Sequence, residues 1–301
     1  MHLKDLTQKR TNLENIRIKV NNDKNILLIT IMKLTKKLAF YVDNSLLNIQ
    51  LIHALKNKYN IKNNFVGGQQ NKILNAIKKV FIKDKELYIY LTEEQKYGTD
   101  SYSRYEKTIL EKIKSKKADF ITIGQRAIKF CADNNLNVIK SFNNSSFPDL
   151  AKILTNLVKV LYLDAGYAKV HFVINSNKNY KKPFTILPLD NFDVDKLLNI
   201  KQTNSFNSVI QNYKIYPNIE GFIENQINIF LENAINALVV ESSFYNAKNA
   251  LVSTNQKSKQ LDEEILKVSK RINRVKQEKQ IEEIILLTKK KKTIFEEGHN
   301  E

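Results

Sequence analysis

Residues 240–275 read VESSFYNAKNALVSTNQKSKQLDEEILKVSKRINRV. Within them Val240, Phe244, Ala247, Leu251, Thr254, Ser258, Leu261, Ile265, Val268, Ile272 and Val275 follow one another at alternating spacings of four and three. That is the a/d pattern of a left-handed coiled coil, in which one stripe of a helix is buried against a partner helix. The seam thins where Thr254 and Ser258 replace large apolar side chains. Its next positions are Lys279 and Glu282, so pairing is expected to end near Val275. Neither Gly nor Pro occurs in 222–297, which as one helix would run roughly 110 Å at about 1.5 Å per residue. No compact domain of this size buries such a rod along its whole length.

The other end of the chain offers the partner. Residues 1–66 also lack Gly and Pro. Leu6, Leu13, Ile16, Val20 and Leu27 hold one heptad register, interrupted by polar Lys9 and Asp23. After a four-residue step resembling a stutter, Ile31, Leu34, Leu38 and Tyr41 continue it. The next positions, Ser45 and Asn48, are polar, so the register fades after Tyr41. Two such helices at opposite ends of one chain most simply pair antiparallel. About eight large apolar side chains of the C-terminal seam, at roughly 1.5–3 kcal/mol each, are ample to zip the pair. Much of that offsets the entropy of ordering so much backbone.

All four prolines (148, 183, 188, 217) and six of the seven glycines (67, 68, 98, 124, 166, 221) lie between the two rods. There the pattern alternates. Strands are expected at Leu87–Leu91, Phe120–Ile123, Val138–Phe142 and Lys169–Asn175. Helices are expected at Ser103–Lys114, Gln125–Asp133 and Asp149–Leu163. Alternating β and α units of this size imply a mainly parallel sheet with helices on its faces. The expected fold is therefore an antiparallel coiled coil of N- and C-terminal helices with a central Rossmann-like α/β domain. Its expected parts are 1–66, 67–221 and 222–301, the last carrying a basic tail.

The 301 residues include 49 basic and 31 acidic, a formal charge of +18. Such a charge suits nucleic acid or an anionic surface. It also suits solvated Lys-rich faces in a chain crowded with Lys, Asn and Ile. No Lys/Arg-plus-aromatic recognition motif accompanies the charge, so we expect no nucleic-acid partner. The single Cys131 excludes an intrachain disulfide and points to a reducing compartment. The polar N-terminus lacks the apolar stretch of a signal peptide. A soluble protein is expected, peripheral if it meets a membrane.

The chemistry of nucleotide sites is missing from the motifs. There is no GxxxxGK[ST], and no GxGxxG comes after the first strand. The loop there, Thr92-Glu93-Glu94-Gln95-Lys96-Tyr97-Gly98, carries two carboxylates that would repel a phosphate; Glu93 and Glu94 read as a solvated loop. The histidines (2, 53, 171, 299) are scattered, and none has metal-ligand spacing with Cys131 or another His. His171 reads as a packed strand residue and Cys131 as a small apolar filler. No catalytic, cofactor or metal site is expected.

The run Ile272-Asn273-Arg274-Val275-Lys276-Gln277, then Ile281-Glu282-Glu283-Ile284, resembles the gamma (central stalk) subunits of F-type ATPases, whose pattern there is Y-N-K-x-R-Q and then I-T-x-E. Upstream, Glu241-Ser242 with Ala247 and Leu251 falls where that family has E-S-x-x-S-E-x-x-A-R-M, and the spacing between the two motifs matches without gaps. Ile123-Gly124, Phe130 and Asn137-Val138 are similar to its second strand and the stretch after that strand. Lys169–Val173, Pro183 and Leu187-Pro188-Leu189 are similar to its later strand and L-L-P segment. Tyr216-Pro217 falls where the family re-enters the C-terminal helix, and Asp5, Lys9 and Leu13-Glu14-Asn15 resemble its opening. The family's S-D-R-G-L-C-G-G loop keeps only Thr92, Glu93 and Gly98 here, its Arg of the R-Q pair is Lys276, and its A-R-M is Asn249-Ala250-Leu251.

The resemblance implies a rotor shaft without chemistry of its own. It would turn inside a hexamer of alpha- and beta-type nucleotide-binding subunits and couple rotation to ATP hydrolysis or synthesis. Lys276 and Gln277, with Asn273 and Arg274 beside them, would touch a loop of a catalytic subunit. The foot would meet a small stalk subunit or another docking protein. The complex would be cytoplasmic, on the inner face of the cell membrane. The altered foot loop puts proton-transport coupling in doubt, and the resemblance also allows an ATPase that drives gliding. The alternative reading is a basic coiled-coil protein, nucleic-acid-binding or purely structural.

Overall fold

Without Gly or Pro to break them, the two ends of the chain are single helices. The structure, a computed structural model, describes residues 3–59, 65, 85–94, 100, 102–113, 117–176, 183–192, 214–216 and 218–297, with side chains to residue 288. Helix α1 is Leu3–Tyr59, with Asp5 in its first turn and Lys56 and Lys58 in its last, charges that complement the helix dipole. Helix α5 is Ile219–Glu297. Between them lie β1 (Lys85–Leu91), α2 (Tyr102–Ile113), β2 (Lys117–Ile123), α3 (Gln125–Asp133), β3 (Asn137–Phe142), α4 (Leu150–Asp164), β4 (Lys169–Val173) and β5 (Phe184–Leu187). Gly67, Gly68, Gln95–Thr99, Pro217 and the side chains of Lys289–Lys292 fall outside the described residues.

The chain divides into two compact units. The first joins Met1–Ile29 to Ala250–Glu301. Here Arg17 Nε meets Asp262 Oδ1 at 2.7 Å, and Ser258 Oγ donates to Asn21 Oδ1 at 3.4 Å. Four residues forward on α1 are thus four residues back on α5, so the helices run antiparallel. From Leu251 to Val275 every seam position read from the sequence is buried or half-buried, Ile272 most of all, and residues 276–288 are exposed throughout. Extending the register brings Leu3 level with Lys276.

The seam of α1 corrects the sequence reading. Leu3, Leu6, Arg10, Leu13, Val20, Lys24 and Leu27 are its covered positions, whereas Lys9, Ile16 and Asp23 are exposed. With Arg17 filling the one gap, these form one heptad series that reaches Ile31 and Leu34 without a stutter. Arg10 and Lys24 are half-buried at these positions, and Arg17, itself exposed, pairs with Asp262.

The second unit is Thr30–Asn249. Its five strands lie in the order β3-β2-β1-β4-β5. The first four are parallel, with Tyr88 beside Phe120 and His171, and β5 runs antiparallel to β4. Alternation along β1 splits the core in two. Leu87, Ile89 and Leu91 face a cluster built with Leu38, Val42, Ile49, Ile52 and Leu55 of α1, Leu154 and Val158 of α4, and Ile227, Phe230, Ala234 and Leu238 of α5. Tyr88 and Tyr90 face the other, built with Tyr102, Tyr105 and Ile109 of α2 and Ala127, Phe130 and Cys131 of α3. The α1 pattern does not fade after Tyr41: it changes partner. Val42, Leu46, Ile49 and Ile52 are buried, and Ser45, fully buried, donates its hydroxyl to Tyr41 O.

The architecture is thus two long terminal helices flanking a central, mainly parallel α/β sheet. Strand β5 was absent from the sequence reading. Four residues between Pro183 and Pro188 are too few to show a period.

Candidate functional site

In open α/β sheets ligands bind outside the carboxyl ends of the strands, where the strand order reverses. Here that point lies between β1 and β4, beside Thr92 and Glu93 on one side and Asn175 and Ser176 on the other. On the other side of β1, after β2, helix α3 has Gly124 at its N-cap, which has no side chain to cap it. Thr92 does so instead: its hydroxyl accepts the Ala127 N–H at 3.1 Å and donates to Ile123 O at 3.2 Å. Gly124 sits at φ +95°, and a Cβ there would lie 2.1 Å from Thr92 O. The close approach explains the Ile-Gly pair.

The crevice is filled by the chain itself. Glu93 Oε1 accepts from Ser243 Oγ at 2.8 Å and from Ser145 Oγ at 3.3 Å, and Glu93 Oε2 accepts from Asn246 Nδ2 at 2.6 Å. Ser243 and Asn246 belong to α5. A phosphate placed there would face the Glu93 carboxylate, which already takes the nearby donors. Glu94 is exposed, as a solvated loop residue should be, but Glu93 is half-buried and fully engaged. The sequence reading missed it.

The other chemistry-bearing residues are structural. Cys131 is fully buried and burial pushes its thiol up to about 12. His171 is buried against the Tyr88 ring, 3.2 Å from the Thr185 hydroxyl and 3.5 Å from Glu86, and so ties β1, β4 and β5 together. A cavity bounded by Tyr88, Tyr105, Ile109, Val173 and Pro183 measures about 10 Å³, the room of a single water. Among the described residues no group of three His, Cys, Asp or Glu could hold a metal. No described helix is long and apolar enough to cross a membrane.

The expected partner-contact residues lie at the end of the helix pair. Asn273, Arg274, Lys276 and Gln277 are all exposed, on either side of Val275, the last half-buried position. At 3.6 residues per turn, Asn273, Gln277 and Ile284 share one face, while Arg274 is turned about a quarter turn away with Ile281 and Ile285. Arg274 donates to Glu278 at 3.0 Å with its side chain 80 % exposed. Beyond them Ile281, Ile284, Ile285, Leu286 and Leu287 are 47–67 % exposed. This apolar tip was not singled out in the sequence.

No family model matches the chain. It is 50 % identical over 289 residues to "Uncharacterized protein UU050" of Ureaplasma parvum serovar 3, covering 96 % of this chain and 94 % of that one. The chain belongs to the family of that protein. Among solved structures, a chain of the Euglena gracilis mitochondrial ATP synthase rotor is similar at 10 % identity and a TM-score of 0.42, over 92 % of this chain and 98 % of that one. A chain of the OSCP/F1/c-ring structure of the same synthase has 10 % identity and a TM-score of 0.44, over 97 % and 94 %. One from the Tetrahymena thermophila mitochondrial ATP synthase central stalk and c-ring has 16 % identity and a TM-score of 0.39, over 77 % and 99 %. At such scores no residue role passes from those chains to this family.

Proposed function

We propose that this chain is the rotor shaft, the gamma-type central stalk, of an F-type or F-type-like rotary ATPase. One observation carries the reading. Helix α5 continues to Glu297 and bares Ile281, Ile284, Ile285, Leu286 and Leu287, which no described residue covers. A single helix exposing that much apolar surface calls for an enclosing partner. The sequence motifs that resemble gamma subunits, around Glu241-Ser242 and from Ile272 to Ile284, lie on this one uninterrupted helix.

The mechanism is mechanical. The antiparallel pair has two unlike helices, so each catalytic subunit around it meets a different face. Turning the pair moves those faces from one subunit to the next and biases each nucleotide site between open and closed, a population shift imposed by a moving partner. The chain supplies no catalytic group. Asn273, Lys276 and Gln277 offer polar contacts to a catalytic-subunit loop just below the apolar tip. Lys276 presents a point charge, not the planar fork of an arginine. The partners are alpha- and beta-type subunits, with a small stalk subunit or other docking protein at the sheet unit. The complex is cytoplasmic and reaches the membrane only through other subunits.

Affinity purification of the tagged chain from its own cells, with native mass spectrometry of the eluate, tests this. The expected species has one copy of the chain with six nucleotide-binding subunits. Recovery of the chain alone, as a self-dimer, or bound to DNA at physiological salt would overturn it.

A further inference from the structure

The crevice between β1 and β4 holds two carboxylates that point in opposite directions. Glu93, at the end of β1, reaches out to Ser243 and Asn246 of α5 at 2.8 and 2.6 Å. Glu241 of α5 reaches back and accepts from Ser176 Oγ, beyond the end of β4, at 2.6 Å. Each side gives the other an acid and receives hydroxyl or amide donors. Helix α2 braces both halves: Tyr102 Oη accepts the Glu93 N–H at 3.0 Å, and Tyr105 Oη donates to Ser176 O at 3.2 Å. Glu241, Ser176 and Asn175 are buried. Hydrogen bonds to charged acceptors in such surroundings are about twice as strong as neutral ones and fix direction as well as distance.

We infer that this reciprocal pair is a latch that locks α5 to the sheet, with Glu93 as its key positioning residue. The helix occupies the place a ligand takes in other α/β sheets, so the sheet grips its own helix instead of a small molecule. Apolar packing between Phe230, Ala234, Leu238 and the sheet cluster resists separation but is non-directional. The latch adds what packing lacks, a fixed rotation and register of α5 on the strands. The latch concerns the chain's own folding and does not need the rotor reading. Where that reading holds, the latch is the point through which torque passes between the sheet and α5.

Amide exchange on the full chain tests it. E93Q replaces the charged double acceptor by a neutral amide with one acceptor oxygen, so Ser243 and Asn246 lose their charge-assisted bonds; it should speed exchange at Ser243–Asn249 about tenfold or more while β1 and β2 stay protected. Adding N246D returns an acceptor opposite the new amide and should restore slow exchange. E93A should match E93Q. If E93A fails to fold, the S243A/N246A pair, which removes donors from the helix side, gives the same comparison. Exchange in Ser243–Asn249 that is unchanged in these variants, that rises equally in β1 and β2, or that N246D does not restore would overturn the latch. None of these outcomes depends on whether the chain assembles with an ATPase.

Discussion

Asp119 of β2 is bonded to three side chains. Burial alone would raise its pKa, but Lys85 at 2.6 Å, the Tyr167 hydroxyl and Asn137 at 2.8 Å outweigh that and hold it below the usual carboxylate range. A group whose folded pKa is lowered contributes stability above its unfolded value of about 3.9 and loses it as pH falls through the folded one. D119N should therefore cost about 1–3 kcal/mol at pH 7, by urea unfolding, and the gap to the parent should narrow as pH falls below the unfolded value of about 3.9. Gly124 makes a second prediction: G124A combines a positive φ with a backbone clash at Thr92, and should lower stability by about 3 kcal/mol. At this scale local residue chemistry was legible. Cys131 and His171 are packed residues, as their places on a helix and a strand implied. Glu93 was not legible, because its α5 partners lie 150 and 153 residues away and nothing in a loop's composition reports a contact at that distance.

Among elements, the two terminal helices differ in how plainly they announced their packing. The α5 seam was readable because its buried positions are mostly Leu, Ile and Val. The α1 seam was misread at three places because Arg10, Arg17 and Lys24 stand at its register positions, and a hydrophobic/polar alphabet counts them as polar. The second half of α1 was misread because a helix packing on a sheet needs no heptad. The helix pair makes its own prediction. I272A, at a buried seam position, should cost about 2–4 kcal/mol and expose the amides of Leu6–Leu13. I284A, 60 % exposed, should stay within about 0.5 kcal/mol of the parent. Removing the exposed Arg17–Asp262 pair should cost less than about 1 kcal/mol. In the assembled complex the order reverses. I284E together with I281E should leave the melting of the free chain unchanged and abolish its recovery with nucleotide-binding subunits, read by the same purification.

For the molecule as a whole, the proposed shaft would work through placement, not reactive groups. On that proposal the +18 charge would serve long-range attraction to an acidic lining and not sequence recognition. The most direct test is to immobilise the hexamer, attach a bead to the sheet unit and watch it under ATP. The account predicts steady rotation in one direction, in thirds of a turn, stopping when ATP is withdrawn. A hexamer that hydrolyses ATP while the bead only fluctuates about a fixed angle would contradict it.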